Sequence, residues 1–336
     1  MGPTSYNSSL GVSNHKQYSA SAPGSLFLLG EHAVLQNKQA LVLAVNKRIR
    51  IELAPRTDQL IYITSPLGNF KSSLNTLKIE KPFQFVLATI QHVQHQLKKG
   101  FDLSIISEFS SEIGLGSSAA VTVATLAVLN QFIDSTKHRP SYQKKTDLNL
   151  FKLFEDARSV IQKVQGIGSG ADAAASVYGG LIMYQQLAPY ILKKFLFLLP
   201  LSVVYSGYKT PTPEVVKKVK QYCDQYPKIV EALFAAMDHV VTQASIFVEQ
   251  ENWPELGRMM DIQQGIMCAL GVSTPLLNKL VDTLRTTPQM YGAKISGSGL
   301  GDCVIGIGLS SPSYFPQELE AARIPVEGTL QGVCYE

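Results

Sequence analysis

Apolar and polar positions follow two rhythms along this chain. Over 41–53 the side chains of Lys47, Ile49, Ile51 and Leu53 fall on one side and those of Arg48, Arg50 and Glu52 on the other, the two-residue period of a half-exposed strand. Over 119–133 an apolar stretch without proline or glycine reads instead as a buried helix. Helical patterns also cover 83–97 and 147–164. They resume beyond Pro213, with breaks near Pro227, Asn252 and Gly271. Strands are expected at 26–29, 101–106, 181–184, 196–206, 292–296, 303–309 and 324–329. Strands flank helices without strict alternation in either half, which predicts two α+β domains. Pro189 and the pair Lys193-Lys194 mark the boundary. The division is then a flexible tail over 1–18, a first domain over 19–192 and a second over 193–336.

Composition narrows the function classes. The 336 residues are 45% hydrophobic and 17% charged, which is ordinary for a globular protein with a substantial core. The net charge of +4 comes from lysines scattered in pairs, with no basic stripe of the kind that binds nucleic acid. Cys223, Cys268, Cys303 and Cys334 have neither zinc-ligand nor disulfide-framework spacing, and a reducing cytoplasm fits them best. No apolar stretch reaches the length of a membrane span; the longest candidate, 195–205, is broken by Pro200. The first eighteen residues lack the apolar core of a secretory signal. A cytoplasmic protein acting on small molecules is expected, with no nucleic-acid or membrane partner and with a homodimer compatible with the sequence.

Three glycine-rich segments carry the candidate chemistry. Glu112-Ile113-Gly114-Leu115-Gly116-Ser117-Ser118-Ala119-Ala120 opens directly into the buried helix, so its backbone N–H groups and the positive end of the helix dipole are presented to an anion. The other two lie at 166–170 and 297–301. Any one of them alone is explained by turn geometry. Together they suggest a nucleotide and a small substrate held between loops. Neither the P-loop nor the dinucleotide fingerprint is present, which argues against a P-loop ATPase and a Rossmann dehydrogenase.

In order and spacing, four segments resemble the motifs of the GHMP kinase superfamily. They are Ser21-Ala22-Pro23-Gly24 through Gly30-Glu31-His32-Ala33-Val34, the Gly114 to Ala120 loop, Ser169-Gly170-Ala171-Asp172 with Tyr178-Gly179-Gly180, and Ala293-Lys294-Ile295-Ser296-Gly297-Ser298-Gly299. Met260-Asp261-Ile262-Gln263-Gln264-Gly265-Ile266 and Ala269-Leu270-Gly271-Val272-Ser273 further resemble the mevalonate kinases within it. The resemblance implies a ribosomal-S5-like domain followed by a ferredoxin-like domain, and ATP- and Mg²⁺-dependent phosphorylation of an alcohol, mevalonate first. By the same resemblance Gly114, Leu115, Gly116, Ser117, Ser118 and Ala119 cradle the nucleotide, and the Ser118 hydroxyl faces Mg²⁺. Asp172 accepts or orients the acceptor's proton. Glu31 and His32 reach the substrate, His32 as a donor, and Gly297, Ser298 and Gly299 floor the pocket.

The chain departs from that pattern at identifiable positions. Ser25 stands where the family carries a lysine, and Ile161 where it carries a metal-binding glutamate. Asp302 ends a Gly299-Leu300-Gly301-Asp302 segment where the family favours glycines, and a carboxylate beside phosphates repels them unless Mg²⁺ or a lysine intervenes. Lys209 and then Lys163 are the candidate replacement cations. These departures leave open another acceptor, such as phosphomevalonate or a sugar, and a non-catalytic metabolite-binding relative. Retention of Asp172 favours catalysis.

Overall fold

The computed structural model describes residues 17–136, 147–308, 317–320 and 322–336. The tail expected over 1–18 lies outside them up to residue 16. Tyr18 already belongs to the first strand.

Strand β1 (Tyr18–Leu29) runs straight through the Ser-Ala-Pro-Gly segment and pairs antiparallel with β2 (Ala40–Pro55). Register shifts at Pro23/Ser25 and at Phe27/Leu29 are bulges, which let a proline sit in a paired strand and make β1 longer than its apolar core alone suggests. Gly30-Glu31-His32 and a 3₁₀ turn over Ala33–Gln36 reverse the chain between the two strands. A hairpin of β3 (Leu60–Ser65) and β4 (Gly68–Ser73) follows, then α1 (Gln84–Val93) and β5 (Phe101–Ser107), which lies parallel to β3 and antiparallel to β2. Helices α2 (Ser117–Thr136), α3 (Asp147–Gln165) and α4 (Ala171–Tyr178) lead to β6 (Leu181–Tyr184) and β7 (Ile191–Phe195).

β7 pairs with β6, and β6 with the start of β2, so both belong to the large sheet, whose main order is β1-β2-β5-β3-β4 with the chain's last strand, β11 (Cys334–Tyr335), outside β1. Helix α2 packs on β1 and β2 with Ala120, Val123, Ala124, Ala127 and Val128 fully buried, as its all-round apolar sequence requires.

The chain crosses to a second sheet between Phe195 and Leu201. The strand expected over 196–206 is shorter than that: 196–200 form the crossing, β8 (Leu201–Tyr205) begins only after Pro200, and β7, in the other sheet, has already ended at Phe195. Helices α5 (Thr212–Gln225), α6 (Pro227–Glu249), α7 (Trp253–Ala269) and α8 (Pro275–Arg285) precede β9 (Met290–Ser296) and β10 (Cys303–Gly308). Among the described residues the second sheet is antiparallel, in the order β8-β10-β9. Val204, Met237, Met267, Leu277 and Ile295 form the core beneath it.

Among the described residues, α6 is the one helix long and apolar enough to cross a membrane by length and composition. Its Val230, Phe234, Met237, Val241, Ala244 and Val248 are buried inside the protein, so one face of the helix packs on the core.

After the short α9 (Gln317–Glu320) the chain returns to the first sheet and ends in β11 (Cys334–Tyr335), paired with β1. The strand expected over 324–329 does not form. Pro325 has no N–H to give a ladder, and the segment makes only isolated bridges, Val204 to Arg323 and Val45 to Gly328.

Candidate active site

The three glycine-rich segments meet along one cleft between the two sheets. Its volume is about 1820 Å³, larger than the roughly 300–1,000 Å³ of a single small-ligand pocket. That is room for a nucleotide and an acceptor together. Its walls include Gly114, Gly116, Ser117, Ser118, Ala119, Asp172, Glu31, His32, Gly297 and Ser298. Two of the expected residues are not on the wall. Leu115 is buried and faces inward, contributing its carbonyl to Ser25 N–H at 3.0 Å, and Gly299 lies against Val272.

The loop before α2 owes its shape to its glycines. Gly114 and Gly116 have φ of 68° and 64°, in the left-handed region, and a Cβ on Gly116 would fall 2.0 Å from Ser25 Oγ. The loop can therefore lie directly on Ser25 while turning its backbone toward the cleft at the amino end of a 20-residue helix. Ala119 and Ala120 N–H both donate to Gly116 O, which closes the first turn. The hydroxyls of Ser117 and Ser118 make no hydrogen bond to another described residue, so both remain available to a ligand.

Asp172 sits in the first turn of α4, half-buried on the cleft wall. Ser25 Oγ donates to its Oδ1 at 2.7 Å. Burial pushes the Asp172 carboxyl above the usual range, and the Ser25 hydrogen bond and the charge of Lys209 pull it partly back. A carboxylate held this way is a stronger proton acceptor than one in water. Ser25 thus occupies the seam between the loop and the acid, anchored to the loop through its N–H and to the acid through its hydroxyl.

Glu31 and His32 are placed on the cleft wall but already hold partners across the domain boundary. His32 Nε2 donates to Ser298 O at 2.8 Å. A carbonyl accepts, so the proton is on Nε2 and the ring offers Nδ1 as an acceptor; the donor role expected of Nε2 is taken by the backbone. Burial lowers the His32 pKa, which keeps the ring neutral. Glu31 accepts from Lys294 Nζ at Oε1 and from Gln263 Nε2 at 3.1 Å on Oε2. Lys294, fully buried, also donates to Ile295 O. Burial drives the Glu31 pKa up and that of Lys294 down, and their mutual attraction opposes both shifts. Lys294 does not line the cleft but supports Glu31 from behind it, a task that sequence reasoning did not assign. Its signal was a lone lysine inside the wholly apolar run of β9.

The departures from the family pattern cluster at the same place. Ile161 lines the cleft and is nearly buried, so no carboxylate replaces the missing glutamate there. Lys163 donates to Gln91 Oε1 at 2.9 Å, on the wall formed by α1 and α3. Asp302 lies directly beneath the loop, where a Cβ on Gly114 would come 2.9 Å from its Oδ1, and Lys209 Nζ stands 3.8 Å from that oxygen. Burial raises the Asp302 pKa to about 6, with Asp172 adding to the rise and Lys209 opposing it.

Mg²⁺ takes hard oxygen ligands and is usually bound by one or two protein groups plus substrate phosphates. The free Ser118 hydroxyl at the helix start and the Asp172 carboxylate, which line the same cleft, are oxygen donors of that kind. Among the described residues no group of three or more acidic, His or Cys side chains gathers as a closed metal site.

Comparison with known proteins follows the same lines as the geometry. The family model for the GHMP kinases N terminal domain matches residues 84–180, and that for GHMP kinases C terminal matches residues 244–323. The mevalonate kinase of Archaeoglobus fulgidus is 32% identical over 317 residues, spanning 94% of this chain and 99% of that protein. The mevalonate kinase of Pyrococcus abyssi is 29% identical over 311 residues, spanning 86% and 88%. Among solved structures, L. major mevalonate kinase in complex with R-mevalonate superimposes with a TM-score of 0.75 at 23% identity, over 96% of this chain and 98% of that one. Lactococcus lactis galactokinase complexed with galactose gives 0.77 at 14% identity, over 95% of each. At these identities the structural likenesses establish the shared two-domain fold.

Proposed function

The chain belongs to the GHMP kinase family, among its mevalonate kinases, and we propose that it transfers the γ-phosphoryl group of ATP to the hydroxyl of mevalonate. The observation that carries this reading is the hydrogen-bonded line from the loop to the acid, Leu115 O to Ser25 N–H and Ser25 Oγ to Asp172 Oδ1. It supports the reading because it joins the amino end of α2 to the Asp172 carboxylate on one wall of one cleft.

In such a transfer the protein chiefly positions groups and offsets charge. The backbone N–H groups around Gly114 to Ser118 bind the phosphates of ATP, the Ala119 N–H being taken by Gly116 O. Ser118 would hold Mg²⁺ together with those phosphates. When bound, Mg²⁺ supplies positive charge to the bridging and transferred phosphate oxygens. Asp172 takes the proton of the acceptor hydroxyl, or orients it, as that oxygen forms a bond to the γ-phosphorus and the bond to ADP breaks. Ser25 fixes Oδ1 of Asp172, and no hydrogen bond is made to Oδ2 among the described residues. Glu31 and His32, together with Gly297 and Ser298, shape the acceptor end of the cleft.

The test is ADP release by the full chain with ATP and Mg²⁺ across mevalonate, phosphomevalonate, galactose and homoserine. Turnover of mevalonate is expected, and Asp172→Asn is expected to lower kcat by roughly a hundredfold or more while leaving nucleotide affinity nearly intact. Preferential turnover of another acceptor, or of none, refutes the reading.

A further inference from the structure

Among the described residues three lysines and no arginine line the cleft: Lys81, Lys163 and Lys209. They are not equivalent. Lys81 is exposed at the entrance beside Pro82, and Lys163 is tied to Gln91. Lys209 reaches across from the second domain: its Nζ donates to Ser111 O at 3.4 Å, just ahead of the phosphate loop, and stands 3.8 Å from Asp302 Oδ1. Its charge is felt at Asp172.

The segment that carries Lys209 is built to hold it there. Asp302 N–H donates to Tyr208 O at 2.9 Å, and Ser206 N–H donates to Asp302 O at 3.0 Å, so the two neighbours of Lys209 in space are stitched together through the backbone on both sides. Thr210 Oγ1 donates to Leu300 O. Gly301 lets the two segments touch, since a Cβ there would lie 2.8 Å from Tyr208 O and 3.1 Å from Lys209 Cα. Asp302 and Leu300 both adopt positive φ, 65° and 55°, a strained conformation for side chains of their kind that the surrounding contacts maintain. Asp302 is about 95% buried, and its Oδ1 accepts no hydrogen bond. A carboxylate in that position beneath the loop would repel phosphate unless a cation faced it. Lys209 is the cation that does.

We propose that Lys209 is a catalytic residue, the cation that meets the negative charge on the phosphoryl group in transit, and that Asp302 is its positioning residue. The proposal rests on the kinase reading above. Ser25 cannot carry charge, and a transferring phosphoryl group with its leaving ADP requires charge compensation in place before the bond breaks. Lys209 donates hydrogen bonds to the oxygens of the transferred group and forms no bond to phosphorus. The acceptor proton still goes to Asp172. Asp302 holds the lysine between turnovers and points its ammonium along the cleft.

Steady-state ADP release with mevalonate separates this proposal from the reading it rests on. Wild-type turnover tests the kinase reading by itself, and an inactive wild type removes both. Given turnover, Lys209→Met is expected to lower kcat by roughly a hundredfold, with the KM for mevalonate within about threefold and, in the Asp302→Asn background where no carboxylate is left unpaired, no further change in thermal midpoint. Lys209→Arg is expected to keep at least about a tenth of the wild-type rate, because charge is what matters. Asp302→Asn is expected to cost about tenfold in kcat in the wild-type background and nothing further in the Lys209→Met background, because it acts through the lysine. Lys209→Met with a kcat within about threefold of wild type overturns the catalytic role. So do equal losses in the Met and Arg variants accompanied by a lowered midpoint, which mark Lys209 as structural. A loss from Asp302→Asn that multiplies with that of Lys209→Met overturns the positioning role.

Discussion

At the scale of single residues, Asp302 makes a measurable trade of stability for position. Burial raises its carboxyl pKa from the usual 3.8 to about 6, so the folded protein holds a proton there that the unfolded chain has already released. The contribution of this group is fully present below about pH 4 and is lost as the pH rises through 6. At about 1.4 kcal/mol per tenfold in acidity, ionising it in the folded protein costs up to about 3 kcal/mol. Asparagine mimics the protonated form at every pH. Asp302→Asn is therefore expected to melt above wild type at pH 7.5, and the gap to close toward pH 4. A gap that is constant with pH, or a variant that melts below wild type at pH 7.5, contradicts the assignment. The sequence put Lys209 ahead of Lys163 as a cation for this neighbourhood; the fold supplies the physical reason, by tying Lys163 to Gln91 and setting Lys209 beside Asp302.

At the scale of elements, the helices of the second domain were legible because proline sits in the first turn of each. Pro213, Pro227, Pro254 and Pro275 stand at the starts of α5, α6, α7 and α8, where the missing N–H costs nothing. The β3–β4 hairpin was not legible, since only Ile61 and Ile63 of β3 bury deeply and β4 buries none of its side chains fully. Helix α4 escaped for the opposite reason: Ala171 to Val177 is buried on nearly every side, so it has no polar face to reveal a helical period. The glycine loops announced the phosphate end of the cleft, while contacts between distant segments, Ser25 with Asp172 and Glu31 with Lys294, required the fold. The second of these joins β9 to the turn after β1. Lys294→Met leaves the Glu31 carboxylate buried without its cation and is expected to cost about 3–5 kcal/mol by urea denaturation. Adding Glu31→Gln, which still accepts from Gln263 but carries no charge, is expected to recover more than half of that loss. If the double variant is no more stable than Lys294→Met alone, the pair is not what holds this seam.

At the scale of the whole molecule, the two sheets are interlocked rather than merely tethered. The cleft is crossed by His32 to Ser298, Glu31 to Lys294 and Ser296 Oγ to Phe27 O at 2.9 Å; behind it, Gln39 N–H donates to Asp238 Oδ1 at 2.8 Å. The last residues of the chain, having traversed the second domain, then bind the first strand of the first. Arg48 donates to Gly332 O at 2.8 Å and to Ser21 O at 3.0 Å, Glu336 N–H donates to Ser19 O at 2.9 Å, and Val333 is fully buried. Because contacts of this kind run both ways between the domains, neither sheet loses its partner without exposing buried groups of its own, and unfolding is expected as a single cooperative transition. Removing residues 329–336 uncovers the site of Val333, worth about 2 kcal/mol for the side chain alone, and takes away two of the acceptors of Arg48, Gln331 O and Gly332 O. At about 2–4 °C per kcal/mol, a midpoint lowered by roughly 5 °C or more is expected in calorimetry, still in one transition, because the loss on β1 is transmitted to the second domain through the cleft contacts. An unchanged midpoint shows that the returning segment is not part of the cooperative unit, and a scan that splits into two transitions shows that the cleft contacts do not couple the sheets.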